Sequence, residues 1–140
     1  PGRAIVGDAG ILLARVTGIK DSYKKFVGLD AGMETLMRPA LYGAVHRIYK
    51  VGDTIGEQNI TADVTGRICE NTDRLAVDIP FPDVADGDLI AIMYTGAYGY
   101  SMAHNFNTRP RPAEVLIDKD KPHLIRSRET VEDIFRKCDT

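Results

Sequence analysis

Thr61-Ala62-Asp63-Val64-Thr65-Gly66-Arg67-Ile68-Cys69-Glu70-Asn71-Thr72-Asp73-Arg74-Leu75-Ala76-Val77-Asp78-Ile79 reads as strand, polar break, strand. Thr61–Ile68 enters the break through Val64 and Ile68, and Arg74–Ile79 leaves it through Leu75, Ala76 and Val77. The break sets the thiol of Cys69 beside the carboxylate of Glu70, with a second carboxylate, Asp73, three residues on. A thiol and a carboxylate at a strand end can donate a proton and hold a cation. Taken alone, the pair reads first as a buried small hydrophobe beside a turn acid.

Short apolar stretches flank this unit on both sides. Ala4–Val6 and Ile11–Val16, broken by Gly7-Asp8-Ala9-Gly10, are expected as strands with a tight bend or bulge. Ile19–Lys20 and Phe26–Leu29 flank Asp21-Ser22-Tyr23 as a hairpin. Met33, Leu36, Met37, Ala40 and Leu41 have helical spacing, and Pro39 keeps any helix there short. Tyr42–Tyr49 reads as a further strand, Val51–Asn59 as a loop or exposed hairpin, and Leu89–Tyr94 as a strongly apolar, central strand. Ala113–Ile117 and His123–Arg126 form a pair joined by Asp118-Lys119-Asp120-Lys121-Pro122. Glu129–Lys137 is expected as a C-terminal helix with Thr130 as N-cap. Many short strands with one or two short helices predict a mainly β fold, a β-sandwich or barrel-like domain over residues 1–140.

Bulk composition narrows the function classes. With 140 residues the chain can bury roughly two thirds of its unfolded surface as one domain. The 18 basic residues are scattered and balanced by 20 acidic ones, which gives no nucleic-acid surface. No apolar run approaches the roughly 18 residues of a membrane span, and no signal peptide is visible. Cys69 and Cys138 have neither metal-type spacing nor a disulfide framework, so a reducing, cytoplasmic setting fits. The start at Pro1-Gly2-Arg3, without methionine, reads as internal, and a fragment is expected: a truncated chain, a proteolytic product or one piece of a larger enzyme.

Other constellations carry chemistry only weakly when read singly. In Gly96-Ala97-Tyr98-Gly99 two glycines let the chain turn so that a tyrosine ring can project, or they mark an ordinary turn. Arg38-Pro39-Ala40-Leu41-Tyr42 sets a guanidinium four residues before a phenol. On a helix the two share a face and can clamp a carboxylate; otherwise they are a solvated arginine and a core tyrosine. Pro1-Gly2-Arg3 offers close backbone approach and an anion partner. Arg109-Pro110-Arg111-Pro112 reads as a rigid surface or subunit-contact segment. His46, His104 and His123 lack metal-ligand spacing and read as structural, and no metal site is expected.

In order and spacing, Pro1-Gly2-Arg3, Asp30-Ala31-Gly32-Met33, Arg38-Pro39-Ala40-Leu41-Tyr42, Cys69-Glu70-x-x-Asp73, Gly96-Ala97-Tyr98-Gly99 and Arg109-Pro110-Arg111-Pro112-Ala113-Glu114-Val115-Leu116 resemble diaminopimelate decarboxylase. This is a family of pyridoxal-phosphate enzymes of the alanine-racemase-like class, and the likeness runs from Pro1 to about Glu132. It implies a two-domain subunit, a β/α barrel bearing the cofactor lysine followed by a β domain. No residue here matches that lysine motif, so the chain resembles the C-terminal β domain alone and is expected to be inactive by itself.

The resemblance also implies roles. Arg3, Arg38 and Tyr42 fall on substrate-binding positions, and Glu70 on the one that meets the distal ammonium of meso-diaminopimelate. Cys69 falls on the proton donor and Tyr98 on a residue meeting both cofactor and substrate. Gly2 and Arg3 fall at the end of a phosphate-binding Glu-Pro-Gly-Arg motif. The Cys-Glu segment of the family enters the partner subunit's site, which implies a homodimer with shared active sites. Asn71 stands where the family usually has a small residue, often serine. Competing expectations are a decarboxylase of ornithine, arginine or carboxynorspermidine, and a non-catalytic dimerisation module. Arg38 together with Glu70 favours diaminopimelate over the former substrates, which lack its distal amino-acid group.

Overall fold

Ile11–Asp21 is one continuous strand, β1, that changes partners half-way along. The computed structural model describes residues 1–52 and 58–138. The strands after β1 are β2 (Lys25–Leu29), β3 (Ile48–Lys50), β4 (Ile60–Thr65), β5 (Arg74–Phe81), β6 (Leu89–Met93), β7 (Glu114–Asp118) and β8 (Lys121–Arg126). Among the described residues three short α-helices accompany them, α1 (Gly2–Val6), α2 (Arg38–Tyr42) and α3 (Val131–Phe135). Six strands form one sheet in the order β3-β6-β1-β2-β4-β5, and β7-β8 stand apart as a hairpin.

The sheet curls because of β1. Ile11–Arg15 pairs with β6, and from Val16 onward the partner is β2, with a register shift between Val16 and Gly18. Such an irregularity bends a strand and raises its twist. In the first half of β1 the even-numbered residues point inward: Leu12 is partly buried, and Ala14 and Val16 are buried. The buried cluster therefore draws on both halves of the sheet: Val16, Val27, Leu29, Val64, Leu75 and Phe81 meet Ile48, Ile90 and Ile92 around Leu36. This is the mainly β, barrel-like form, built from one curled sheet closing over a single core.

β2 and β4 run parallel. A parallel pair needs a long crossover rather than a tight turn, and residues 30–59 supply it. The crossover carries α2 and then β3 to the far half of the sheet. At the crossed strand, Asp63 is fully buried and needs partners. Lys24 Nζ (3.1 Å), Arg74 Nη1 (3.0 Å) and the Asp78 N–H (2.9 Å) provide them.

Two sequence expectations are corrected. Ala4–Val6 is not a strand but lies in α1, which runs on into a 3₁₀ turn at Gly7–Ala9. Three apolar residues fit either state, and here the Gly7 N–H bonds back to the Arg3 carbonyl instead of to a strand. Of Tyr42–Tyr49 only Ile48 and Tyr49 are strand, because Gly43 adopts the left-handed conformation (φ 63°) and ends α2. The mainly β fold with a few short helices is as expected. Part of the Val51–Asn59 loop lies outside the described residues. The C-terminal helix is present as expected: the Thr130 hydroxyl accepts the Asp133 N–H (3.2 Å) and the Asp133 carboxylate accepts the Thr130 N–H (2.9 Å).

Candidate active site

The Cys69 loop is held from below by Asp73. One oxygen of this buried carboxylate accepts the N–H of Ile68 and the other the N–H of Met33, both at 2.7 Å. The Asp73 N–H closes the turn on the Glu70 carbonyl at 3.0 Å. Asp73 is thus the fastening of the loop rather than a cation ligand. Burial pushes its pKa up, the two N–H donors oppose that, and Glu34 adds to the rise. Both carboxylates converge on Gly32: a Cβ there would lie 2.4 Å from Asp73 Oδ1 and 2.8 Å from Glu34 Oε2, so only glycine fits. Glu34 Oε1 accepts Arg67 Nε at 2.9 Å, while Oε2 has no hydrogen-bond partner among the described residues.

Above this fastening Cys69 and Glu70 are both exposed. The only described contact of the thiol is from Asn107, whose Nδ2 lies 3.5 Å from Sγ. The loop therefore presents a thiol met by Asn107 and, among the described residues, an unpaired carboxylate on a hydrogen-bonded base.

The two arginines lie elsewhere on the chain. Arg3 on α1 and Arg38 on α2 line one cavity of about 380 Å³, together with Asp8, Ala44, Val45 and Tyr94. Arg38 is only 9% exposed, yet no carboxylate pairs with it among the described residues. Its one described partner is His46, with Nη1 3.1 Å from Nε2. His46 Nδ1 in turn lies 2.8 Å from the Met93 carbonyl oxygen. A buried guanidinium with no counter-ion among the described residues, on the same cavity as a second guanidinium, leaves positive charge that can receive an anion.

Tyr42 lies on the same helix as Arg38 but faces outward, 66% exposed. The helix that sequence spacing predicts is present, with the burial of the two side chains opposite to that of a solvated arginine and a core tyrosine. Tyr98 is 51% exposed and sits in the left-handed region at φ 61°, which a bulky residue seldom adopts. The turn bearing it is pinned to the end of α1. The Gly96 N–H bonds to the Gly7 carbonyl (3.1 Å), and a Cβ on Gly96 would fall 1.9 Å from the Val6 oxygen. Close approach, not a positive φ, is what demands glycine at position 96. At Gly2 nothing lies within 4 Å of a Cβ position, so no contact inside the chain requires glycine there.

Within one chain, then, Arg3 and Arg38 come together, while Tyr42, Cys69, Glu70 and Tyr98 lie outside their cavity on exposed surface. Sequence reasoning treated His46 as structural and missed its contact with Arg38. The only available signal was a histidine shortly beyond an Arg-Pro helix start, too common to decide anything. The Arg109-Pro110-Arg111-Pro112 segment is anchored rather than free. Arg111 pairs with Glu129, and Arg111 and Arg126 both stack on the Tyr100 ring, at 5.4 Å and 4.4 Å from its centroid. Among the described residues no group of three or more His, Cys, Asp and Glu is placed to hold a metal ion, and no helix is long and apolar enough to cross a membrane.

Relatives share this framework. The diaminopimelate decarboxylase of Methanothermobacter thermautotrophicus is 49% identical over 136 residues, covering 97% of this chain and 32% of that protein. The crystal structure of diaminopimelate decarboxylase from M. jannaschii in co-complex with L-lysine matches with a TM-score of 0.93 at 42% identity, over 100% of this chain and 32% of that one. The lysine/ornithine decarboxylase of Vibrio vulnificus complexed with putrescine matches less well, with a TM-score of 0.68 at 26% identity, over 78% of this chain and 30% of that one. The chain spans about a third of the length of the curated relatives it matches. Residues 5–96, well over half of the chain, match the family described as pyridoxal-dependent decarboxylase, C-terminal sheet domain. By that match the chain belongs to the pyridoxal-dependent decarboxylases, as a C-terminal sheet domain of that family.

Proposed function

We propose that this chain is the C-terminal β domain of a cytoplasmic diaminopimelate decarboxylase, which converts meso-diaminopimelate to L-lysine and CO₂. The observation that carries the reading is the buried, carboxylate-free Arg38 beside Arg3 on one cavity. Diaminopimelate has an amino-acid group at both ends. Decarboxylating one end leaves the other to be recognised by a cation site for its carboxylate and an anion site for its ammonium. Arg38, with Arg3, receives the distal carboxylate, for which a guanidinium fork is suited. Glu70 receives the distal ammonium, and Tyr42 closes on the substrate from the exposed end of α2. Ornithine and arginine present no distal carboxylate, and the buried Arg38 would then stand without a counter-ion among the described residues.

Pyridoxal phosphate, held on a lysine outside this chain, supplies an electron sink for the pair that CO₂ leaves behind. The residues here fit such a group. Gly2 has open space in front of it, Arg3 provides positive charge, and Tyr98 projects a ring from a strained turn. Cys69 then gives its proton to the substrate α-carbon. A thiol within reach of the reacting carbon can deliver such a proton. Because the Cys69–Glu70 loop and the arginine cavity do not meet within one chain, a two-fold dimer that brings one protomer's loop to its partner's cavity completes the site.

The test is a direct assay on the holoenzyme. Release of CO₂ and lysine in equal amounts from meso-diaminopimelate is expected, and absence of lysine would refute the reading.

A further inference from the structure

We infer that His46 is a positioning residue for the substrate-binding cavity: it holds Arg38 in place with the lone pair of Nε2, which only the neutral imidazole protonated at Nδ1 offers. The inference rests on the reading of Arg38 as the receptor of the distal carboxylate.

The tautomer follows from the partners. An arginine side chain has N–H donors and no acceptor, so at 3.1 Å from Arg38 Nη1 the His46 Nε2 must be the acceptor. Nδ1 then carries the proton and donates it to the Met93 carbonyl at 2.8 Å. Both ring nitrogens are thereby fixed, and His46 itself is only 4% exposed. The chain is continuous from β6 to α2: the Met93 carbonyl orients the ring, the ring orients the guanidinium, and the remaining N–H groups of Arg38 are left for an anion.

The surroundings keep the ring neutral. Arg38 faces it from α2 and Arg3 from α1, both positive, while β6 contributes the Met93 carbonyl. Asp8 and Tyr94 are the other ionisable groups on the cavity wall. Burial lowers the His46 pKa most, and the two arginines lower it further against the opposing pull of the Met93 carbonyl. If acid does protonate Nε2, two N–H donors face each other and the hold on Arg38 is lost. The substrate then meets a displaced guanidinium, so weaker binding in acid is the signature.

Kinetics of the holoenzyme on meso-diaminopimelate, from about pH 5 to pH 8, test this. His46→Ala should raise KM about tenfold, as expected for losing a hydrogen bond to a charged group, with a smaller fall in kcat. His46→Gln places an amide oxygen near the Nε2 position and cannot titrate. It should restore most of the KM and abolish its rise in acid. His46→Ala with the wild-type KM, or His46→Gln with the wild-type acid limb, would overturn the inference. Should His46→Ala not fold, the ¹⁵N shifts of the wild-type ring decide: an Nδ1–H tautomer supports the inference and an Nε2–H tautomer overturns it. Arg38→Met separates the two readings. If it leaves KM unchanged, the carboxylate role of Arg38 fails; if it raises KM while His46→Ala does not, only the role of His46 fails.

Discussion

Asp73 accepts the backbone N–H of Met33 at 2.7 Å across a sequence separation of 40 residues. Through that bond the loop that carries Cys69 and Glu70 is fastened to the start of the crossover that carries Arg38. The exposed thiol and carboxylate therefore stand on a buried polar joint whose hydrogen bonds fix the loop.

Asp73→Asn replaces an acceptor oxygen with an N–H₂ that must face the N–H of Ile68 or of Met33. A loss of about 1–3 kcal/mol of local stability is expected. Hydrogen exchange at Ile68 and Met33 should speed up, and kcat of the holoenzyme should fall as the thiol loses its fixed position. Cys69→Ala, which leaves the joint intact, should depress kcat far more than it raises KM and leave those amides as protected as before. Wild-type turnover in Cys69→Ala would remove the thiol from the mechanism.

Gly96→Ala would drive a methyl group to within 1.9 Å of the Val6 carbonyl oxygen. Neither backbone can yield without moving α1, which carries Arg3, or the turn that carries Tyr98. A destabilisation of about 1–3 kcal/mol is expected, read as a lower denaturation midpoint. An unchanged midpoint would show that the close approach is not required.

Glu129 should titrate far below its usual range. Hydrogen bonds from Arg111 hold its pKa down at about 2, against an ordinary value of 4.5, with Asn105 helping. A depressed carboxyl pKa stabilises the folded state at pH above the unfolded value, and that contribution is lost as pH falls from about 4.5 to about 2. Carboxyl ¹³C NMR should show a midpoint near 2 that rises toward the ordinary value in Arg111→Ala. A wild-type midpoint at 4.5 would contradict the pairing.

Much of the fold is legible from local pattern. The β1–β2 and β7–β8 hairpins, the strand–break–strand unit around Cys69 and the capping box of α3 are each specified by neighbouring residues. What is not legible depends on distant partners. The change of partner along β1 and the parallel β2–β4 pairing follow from a core shared by strands far apart in the chain. Ala4–Val6 is too short for periodicity to separate strand from helix. At the site, motif order points to Arg38, but its burial and its contact with His46 depend on Met93 at the end of β6, far off in the chain, meeting the same ring. Asp73 was visible as a carboxylate near Cys69, while its role as a fastening depends on Met33.

Everything proposed for the arginine cavity depends on a carboxylate at the far end of the substrate. The most direct measurement is the ratio of kcat/KM for meso-diaminopimelate to kcat/KM for ornithine, in the wild-type holoenzyme and in Arg38→Met. A buried guanidinium paired with a carboxylate contributes on the order of 3 kcal/mol, or about a hundredfold. The wild type should therefore favour diaminopimelate by at least about that factor, and Arg38→Met should lose most of the preference. Equal turnover of the two substrates by the wild type, or a preference that survives Arg38→Met, would contradict it.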